Sequence, residues 1–211
     1  CANGGYCLSE KKQGQDIWPY ILVDDAATAL KDIAAFYLDQ IPAVRISVVG
    51  SVGKTSTKEM IYCVLSEKYN TTKTQGNFNN EIGLPRTLFK LEPYHDAAVL
   101  EMGISHFGEM ELLSSIAQPD IAVFTNIENM HTENLIDRDG VLKAKTEIVK
   151  YMRGRTLILN GEDDKLAAYK APDGFKAVYY GCSANCSVRA EDIVLNGLES
   201  SAFTIVTDIG S

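Results

Sequence analysis

At 211 residues and 45% hydrophobic content the chain is long enough to bury one large α/β core. Its net charge of −8, from 28 acidic against 20 basic residues with no long basic cluster, argues against a general nucleic-acid or anionic-membrane surface, so any anionic ligand must be held by local geometry. No apolar run approaches the ~18 residues of a membrane-spanning helix, and no basic-plus-apolar secretory leader is visible.

Residues 1–20 carry little periodicity and no motif, and read as the remnant of a preceding domain or linker, with residues 21–211 forming the main unit. The first residue is Cys1 rather than Met, so the native start is expected to lie elsewhere; a mature lipoprotein would also begin with Cys, but the phosphate loop described next argues against one. From Asp24 the apolar spacing Ala27, Leu30, Ile33, Ala34, Tyr37, Leu38 predicts a helix to Gln40, ahead of Pro42.

Residues 44–59 read as a buried strand (44–49), a glycine-rich turn and the start of a helix (54–68). In Gly50-Ser51-Val52-Gly53-Lys54-Thr55-Ser56 the glycines permit tight backbone geometry, and N–H groups of the turn and helix start can converge on an anion. Lys54 supplies a point charge for β/γ-phosphates, and the Thr55 hydroxyl is placed for Mg²⁺. The full phosphate-loop pattern wants a glycine five positions before Gly53, where Val48 stands.

Further along, 75–86 is rich in amides and glycine, as either a plain loop with N-cap chemistry or a ligand-facing loop. A helix over 81–91 precedes a strand over 97–102 that carries Glu101 near its end, a carboxylate that either makes a second contact to Mg²⁺ or merely begins a solvated loop. Helix 107–117 stops near Pro119, and strand 121–126 ends in Thr125-Asn126, with His131 five residues on as a surface residue or a ligand. Helix 138–152 carries Val141, Lys145 and Val149 in line, so Lys145 either snorkels or is desolvated and chemically modifiable. Strand 156–160, a short helix over 163–170 and β-segments at 176–181, 188–195 and 202–208 follow. Cys182 and Cys186 are the only close cysteine pair among five; without a second Cys/His pair they read as reduced thiols rather than a zinc site. The alternation predicts an α/β fold: a mostly parallel sheet with helices on both faces, a phosphate loop, and extra β-segments near the C-terminus. Ligands in such sheets sit at the carboxyl ends of the strands.

Taken together, GSVGKTSTKEM (50–60), GNFNNEIGLPRTL (76–88), VLEMGISHFGEM (99–110), PDIAVFTNI (119–127), His131, KAKTEI (143–148) and LNGEDD (159–164) resemble the central ATP-binding domain of the Mur ligases. These are the amide-forming enzymes of peptidoglycan precursor synthesis, serving cell shape and division. The GNxNNxIGxP and LExG…GEM strings are most similar to the MurF branch. The resemblance implies ATP and Mg²⁺ as cofactors, with UDP-MurNAc-tripeptide and D-Ala-D-Ala as small-molecule substrates. It also implies a cytoplasmic, monomeric protein with no nucleic-acid or membrane partner. It makes Gly50, Ser51, Val52, Gly53, Lys54, Thr55 and Ser56 the ATP phosphate loop, and Lys54, Asn80, His131 and Lys145 the catalytic set. Metal ligation falls to Thr55, Glu101, His131 and Lys145, the last as a carbamate. The family's adenine-supporting GxHNxxN segment and its carboxy-terminal domain are not found before Ser211, so the chain reads as an excised central domain that would bind ATP weakly and ligate nothing by itself. Another Mur-type or folylpolyglutamate-type ligase, and a non-catalytic nucleotide-binding module, stay open as alternatives.

Overall fold

The structure, a computed structural model, describes residues 6–12, 14, 19–130, 132–197 and 199–207. Strands β1 (Cys7–Ser9) and β2 (Tyr20–Leu22) form a short parallel ladder. Helix α1 (Ala26–Asp39) follows, its first turn capped by Asp25, whose carboxylate accepts the Thr28 N–H. The alternation then runs β3 (Val44–Val49), α2 (Lys54–Ser66), β4 (Thr71–Lys73), α3 (Gly83–Leu88), β5 (Ala97–Glu101), α4 (Glu109–Ala117) and β6 (Ile121–Phe124). It continues with α5 (Thr132–Leu135), α6 (Arg138–Thr146), a 3₁₀ turn (Glu147–Tyr151), β7 (Thr156–Asn160), α7 (Asp164–Ala168) and β8 (Lys176–Gly181). It closes on the hairpin β9 (Val188–Asn196) and β10 (Ser200–Thr207).

Eight of these strands form one sheet in the order β10-β9-β8-β7-β6-β3-β5-β4, parallel throughout except for the antiparallel β9–β10 pair. The expected α/β architecture with extra β-structure at the C-terminus is therefore present. Its central strands are apolar on both faces, as parallel strands covered by helices must be: Val48, Val49, Ala98, Val99, Leu100 and Phe124 are all buried. Helix α2 lies over β3, β4 and β5, while α1, α3, α4 and α6 pack on one another in a second layer.

From β3 the chain goes out to the β4 edge and back to β5, then crosses to β6 on the other side of β3. The order therefore reverses at β3, and a crevice opens at the carboxyl ends of β5, β3 and β6, where open α/β sheets take ligands.

Behind that crevice, at the opposite end of β3, Arg45 is fully buried and donates to Leu38 O and Ala117 O, carbonyls in the last turns of α1 and α4. A cation there satisfies two helix C-termini at once. Burial pulls its pKa down to about 10, which leaves the guanidinium charged at neutral pH.

Several elements differ from the sequence expectation. The helix expected over 81–91 is Gly83–Leu88, because Asn80 Oδ1 accepts the Gly83 N–H and starts the helix late. The helix expected over 138–152 ends at Thr146, whose hydroxyl donates back to Leu142 O and Lys143 O; the chain then tightens into the 3₁₀ turn. Strand β4 and the β1–β2 ladder carry no apolar alternation that would announce them. No helix of the described residues is long and apolar enough to cross a membrane. The described cysteines, Cys7, Cys63, Cys182 and Cys186, are free thiols.

Candidate functional site

Val48, which stands where the longer phosphate-loop pattern has glycine, is a β3 residue paired in register with Glu101 on one side and Val123 on the other. A buried mid-strand position has no need of glycine, so the turn proper begins at Gly50. There glycine is required by contact: a Cβ on Gly50 would lie 1.8 Å from Thr125 Oγ1. The end of β6 grips the first half of the turn. Thr125 Oγ1 donates to Val52 O (2.7 Å), the Ser51 N–H donates to Asn126 O (3.0 Å) and the Val52 N–H donates to Asn126 Oδ1 (2.9 Å). The Ser51 hydroxyl is fixed against Glu128. Gly53, at φ +78°, then turns the chain into α2 as a left-handed N-cap that offers no side chain to the helix start. Helix geometry leaves the N–H groups of Lys54, Thr55 and Ser56 without intrahelical acceptors. The turn is thus rigid at its front and open to an anion at its back.

Two lysines converge on this turn. Lys54 Nζ donates to Gly50 O and Ser51 O, both at 2.9 Å, and Lys145 Nζ donates to the same Gly50 O at 3.1 Å. Lys145 is only 4% exposed, so its amine is not at the surface and the snorkelling alternative is overturned: α6 is packed so that this position faces the phosphate turn. Burial, followed by repulsion from Lys54, pulls the Lys145 pKa down to about 7. Burial also lowers that of Lys54, with Glu101 acting in the opposite direction. Two amines sharing one carbonyl acceptor are electrostatically unsatisfied, and an anion above Gly50 would relieve both.

Opposite them stands Glu101, 3% exposed at the end of β5. It accepts from Thr55 Oγ1 (3.0 Å) and Asn79 Nδ2 (2.9 Å), and Lys58 Nζ lies 3.5 Å from its Oε2. The Glu101 N–H donates to Thr74 Oγ1, which fixes the strand end. The solvated-loop alternative for Glu101 is therefore overturned as well. Hydroxyl and carboxylate side by side are hard oxygen donors of the kind Mg²⁺ takes. Among the described residues no three His, Cys, Asp or Glu side chains gather into a metal site, so a cation here would draw its remaining ligands from phosphate oxygens and water.

Lys54, Lys145 and Asn79 border a cavity of about 430 Å³ whose lining also includes Asn80, Glu109 and Met130. Asn80 lines it while its Oδ1 is engaged with the start of α3. Ser56 and Val52 lie exposed on the loop and first turn. The position expected for His131 lies outside the described residues. Sequence reasoning missed Asn79, Lys58 and Thr74, which hold Glu101. Asn79 sits beside the chosen Asn80 in the same amide-rich loop, so that signal was present but could not say which amide faced the carboxylate.

A sequence-family profile described as the Mur ligase middle domain matches residues 48–210. The UDP-N-acetylmuramoyl-tripeptide--D-alanyl-D-alanine ligase of Bacillus subtilis is 41% identical over 187 residues, which is 88% of this chain and 40% of that protein. Among solved structures, MurF from Acinetobacter baumannii superimposes with a TM-score of 0.88 at 32% identity, covering 96% of this chain and 45% of the other. MurF from Thermotoga maritima, solved in complex with ADP, gives 0.85 at 28% identity over 98% and 48%. The chain thus spans less than half the length of each of these relatives.

Proposed function

The chain belongs to the Mur ligase middle-domain family, and from that premise we propose that it is the ATP-binding part of a MurF-type ligase. In this reading residues 21–211 are the central domain and residues 1–20 the remnant of what precedes it. The enzyme joins D-Ala-D-Ala to UDP-MurNAc-tripeptide in the cytoplasm and acts as a monomer, without nucleic-acid or membrane partners. The observation that carries the proposal is the convergence of the Lys54 and Lys145 amines on Gly50 O, across the crevice from the Thr55–Glu101 pair.

The chemistry asks for two transfers. The tripeptide carboxylate takes the γ-phosphoryl group of ATP, leaving ADP, and the amine of D-Ala-D-Ala attacks the acyl-phosphate carbonyl, expelling phosphate and giving up a proton as the amide forms. Both reactants of the first step are anions, so catalysis is mainly positioning and charge stabilisation. Lys54 would exchange its two carbonyl acceptors for phosphate oxygens, and the N–H groups of Lys54, Thr55 and Ser56 would hold the β/γ-phosphates, with Gly50 to Gly53 shaping the cradle. Asn80 is assigned to the neighbourhood of the γ-phosphate and substrate carboxylate. Mg²⁺, held by Thr55, Glu101, His131 and Lys145, would screen the negative charges from one another. A pKa of about 7 keeps part of Lys145 neutral at physiological pH, the form that adds CO₂. That addition forms an N–C bond, releases the amine proton to water, and turns a cation repelled by Lys54 into an anion attracted to it.

In the full reading frame containing this chain, phosphate release from MgATP should require UDP-MurNAc-tripeptide and D-Ala-D-Ala together. The 211-residue chain alone should bind ATP and form no amide. Equal phosphate release without either substrate would replace the ligase reading with that of a simple hydrolase.

A further inference from the structure

Lys58 plays no part in the mechanism above, yet it is among the largest fully buried side chains, 1% exposed on the inner face of α2. One turn separates it from Lys54 and Thr55, so it reaches the carboxylate end of β5 from beneath the phosphate loop. Its amine lies 3.5 Å from Glu101 Oε2 and 3.3 Å from Glu59 Oε1. Glu59 is paired in turn with Lys73, whose amine lies 3.9 Å from the centre of the Tyr62 ring. A chain of alternating charges, Glu101–Lys58–Glu59–Lys73, therefore runs from the crevice to the surface. Lys58 is the buried cation of that chain of charges, and it contacts the buried Glu101 carboxylate at the end of β5.

We propose that Lys58 is a built-in counter-ion of Glu101 that keeps the crevice from holding a divalent cation until a nucleotide arrives. An unpaired buried carboxylate is costly and would be satisfied by any passing cation. With Lys58 in place, Glu101 is already neutralised on its Oε2 side, the side that Thr55 Oγ1 also contacts. A divalent ion beside Thr55 and Glu101 then meets repulsion from a fixed amine a few ångströms away. Phosphate oxygens would supply the missing negative charge, so metal and nucleotide would enter together. The inference rests on the reading of Thr55 and Glu101 as cation ligands and adds Lys58 as a positioning residue that acts through Glu101.

The test is a titration of the nucleotide-free chain with Mn²⁺, following the free-ion electron paramagnetic resonance signal. Lys58→Met and Lys58→Gln should each raise Mn²⁺ affinity about tenfold or more, the size of effect that one adjacent charge has on cation binding to a carboxylate. Lys58→Arg, which keeps the charge, should retain the weak binding of the parent. Adding Glu101→Gln to Lys58→Met should abolish the gain. The two neutral substitutions differ in size and polarity, and circular dichroism identifies which is folded. Unchanged or weaker Mn²⁺ binding in a folded neutral variant would overturn the inference. A parallel titration with ATP present separates it from the reading beneath it. If Glu101→Gln leaves Mn²⁺–ATP binding intact, the assignment of Glu101 fails. If that binding is lost while Lys58→Met gains nothing, the counter-ion role alone fails.

Discussion

Lys54→Met should lower the affinity of the chain for MgATP about 100-fold, equivalent to about 2.7 kcal/mol, while leaving it folded. The magnitude follows from what the amine does in each state. Without nucleotide it is bonded to Gly50 O and Ser51 O at the mouth of the crevice, so it is already in place and gives up two neutral acceptors for charged phosphate oxygens. Charge-assisted bonds of this type contribute about 1.5–3 kcal/mol each, and removing the amine forfeits at least one. The fold should tolerate the change because Gly50 O keeps the Lys145 amine as a donor and Ser51 remains fixed by Asn126 and Glu128. Isothermal titration with ATP and Mg²⁺ measures the loss directly. An affinity within a factor of three of the parent would mean that the triphosphate lies elsewhere.

The second large effect concerns Lys145 and has the opposite sign for stability. In the folded chain its pKa is about 7, against an ordinary lysine value of 10.5. Between those values the unfolded chain binds a proton that the folded chain does not, so stability rises with pH across that window, by up to about 1.4 kcal/mol per unit. Below about pH 7 both states are protonated and the full cost of the buried charge is present. Lys145→Met should therefore stabilise the chain at pH 7, by about 2–3 kcal/mol after allowance for relaxation around the site, and should flatten the rise toward pH 10. Urea unfolding at pH 6 to 10 in CO₂-free, metal-free buffer is the measurement. A destabilised Lys145→Met variant would show that the amine is a structural donor to Gly50 O rather than a strained functional cation. The same substitution in the longer enzyme should cost ligation, so stability and function are opposed at this residue.

Much of this is legible in the amino-acid sequence, for identifiable physical reasons. Strands 44–49, 156–160 and 176–181 are legible to the residue because apolar or β-branched runs end at Gly50, at Asn160-Gly161 and at Gly181. Strand β4 is not, since Thr71-Thr72-Lys73 is a polar three-residue edge strand whose existence depends on its β5 partner. The phosphate loop was legible because its residues are contiguous and the physics that makes it, glycine freedom and helix-start N–H groups, is local. Glu101 and Lys145 could be singled out as odd residues in apolar company, but each carried an ordinary alternative. Only the tertiary structure, which brings Lys145 Nζ to Gly50 O across a separation of 95 residues, decides against it. Lys58 was invisible because a lysine in an amphipathic helix is normally solvated, and its partner Glu101 lies on another element.

In the proposed function the crevice at the end of β3 grips a triphosphate. Competition binding tests it most directly: inorganic tripolyphosphate with Mg²⁺ should displace a fluorescent ATP analogue from the 211-residue chain, and adenosine at the same concentration should not. Displacement by adenosine with none by tripolyphosphate would contradict the account.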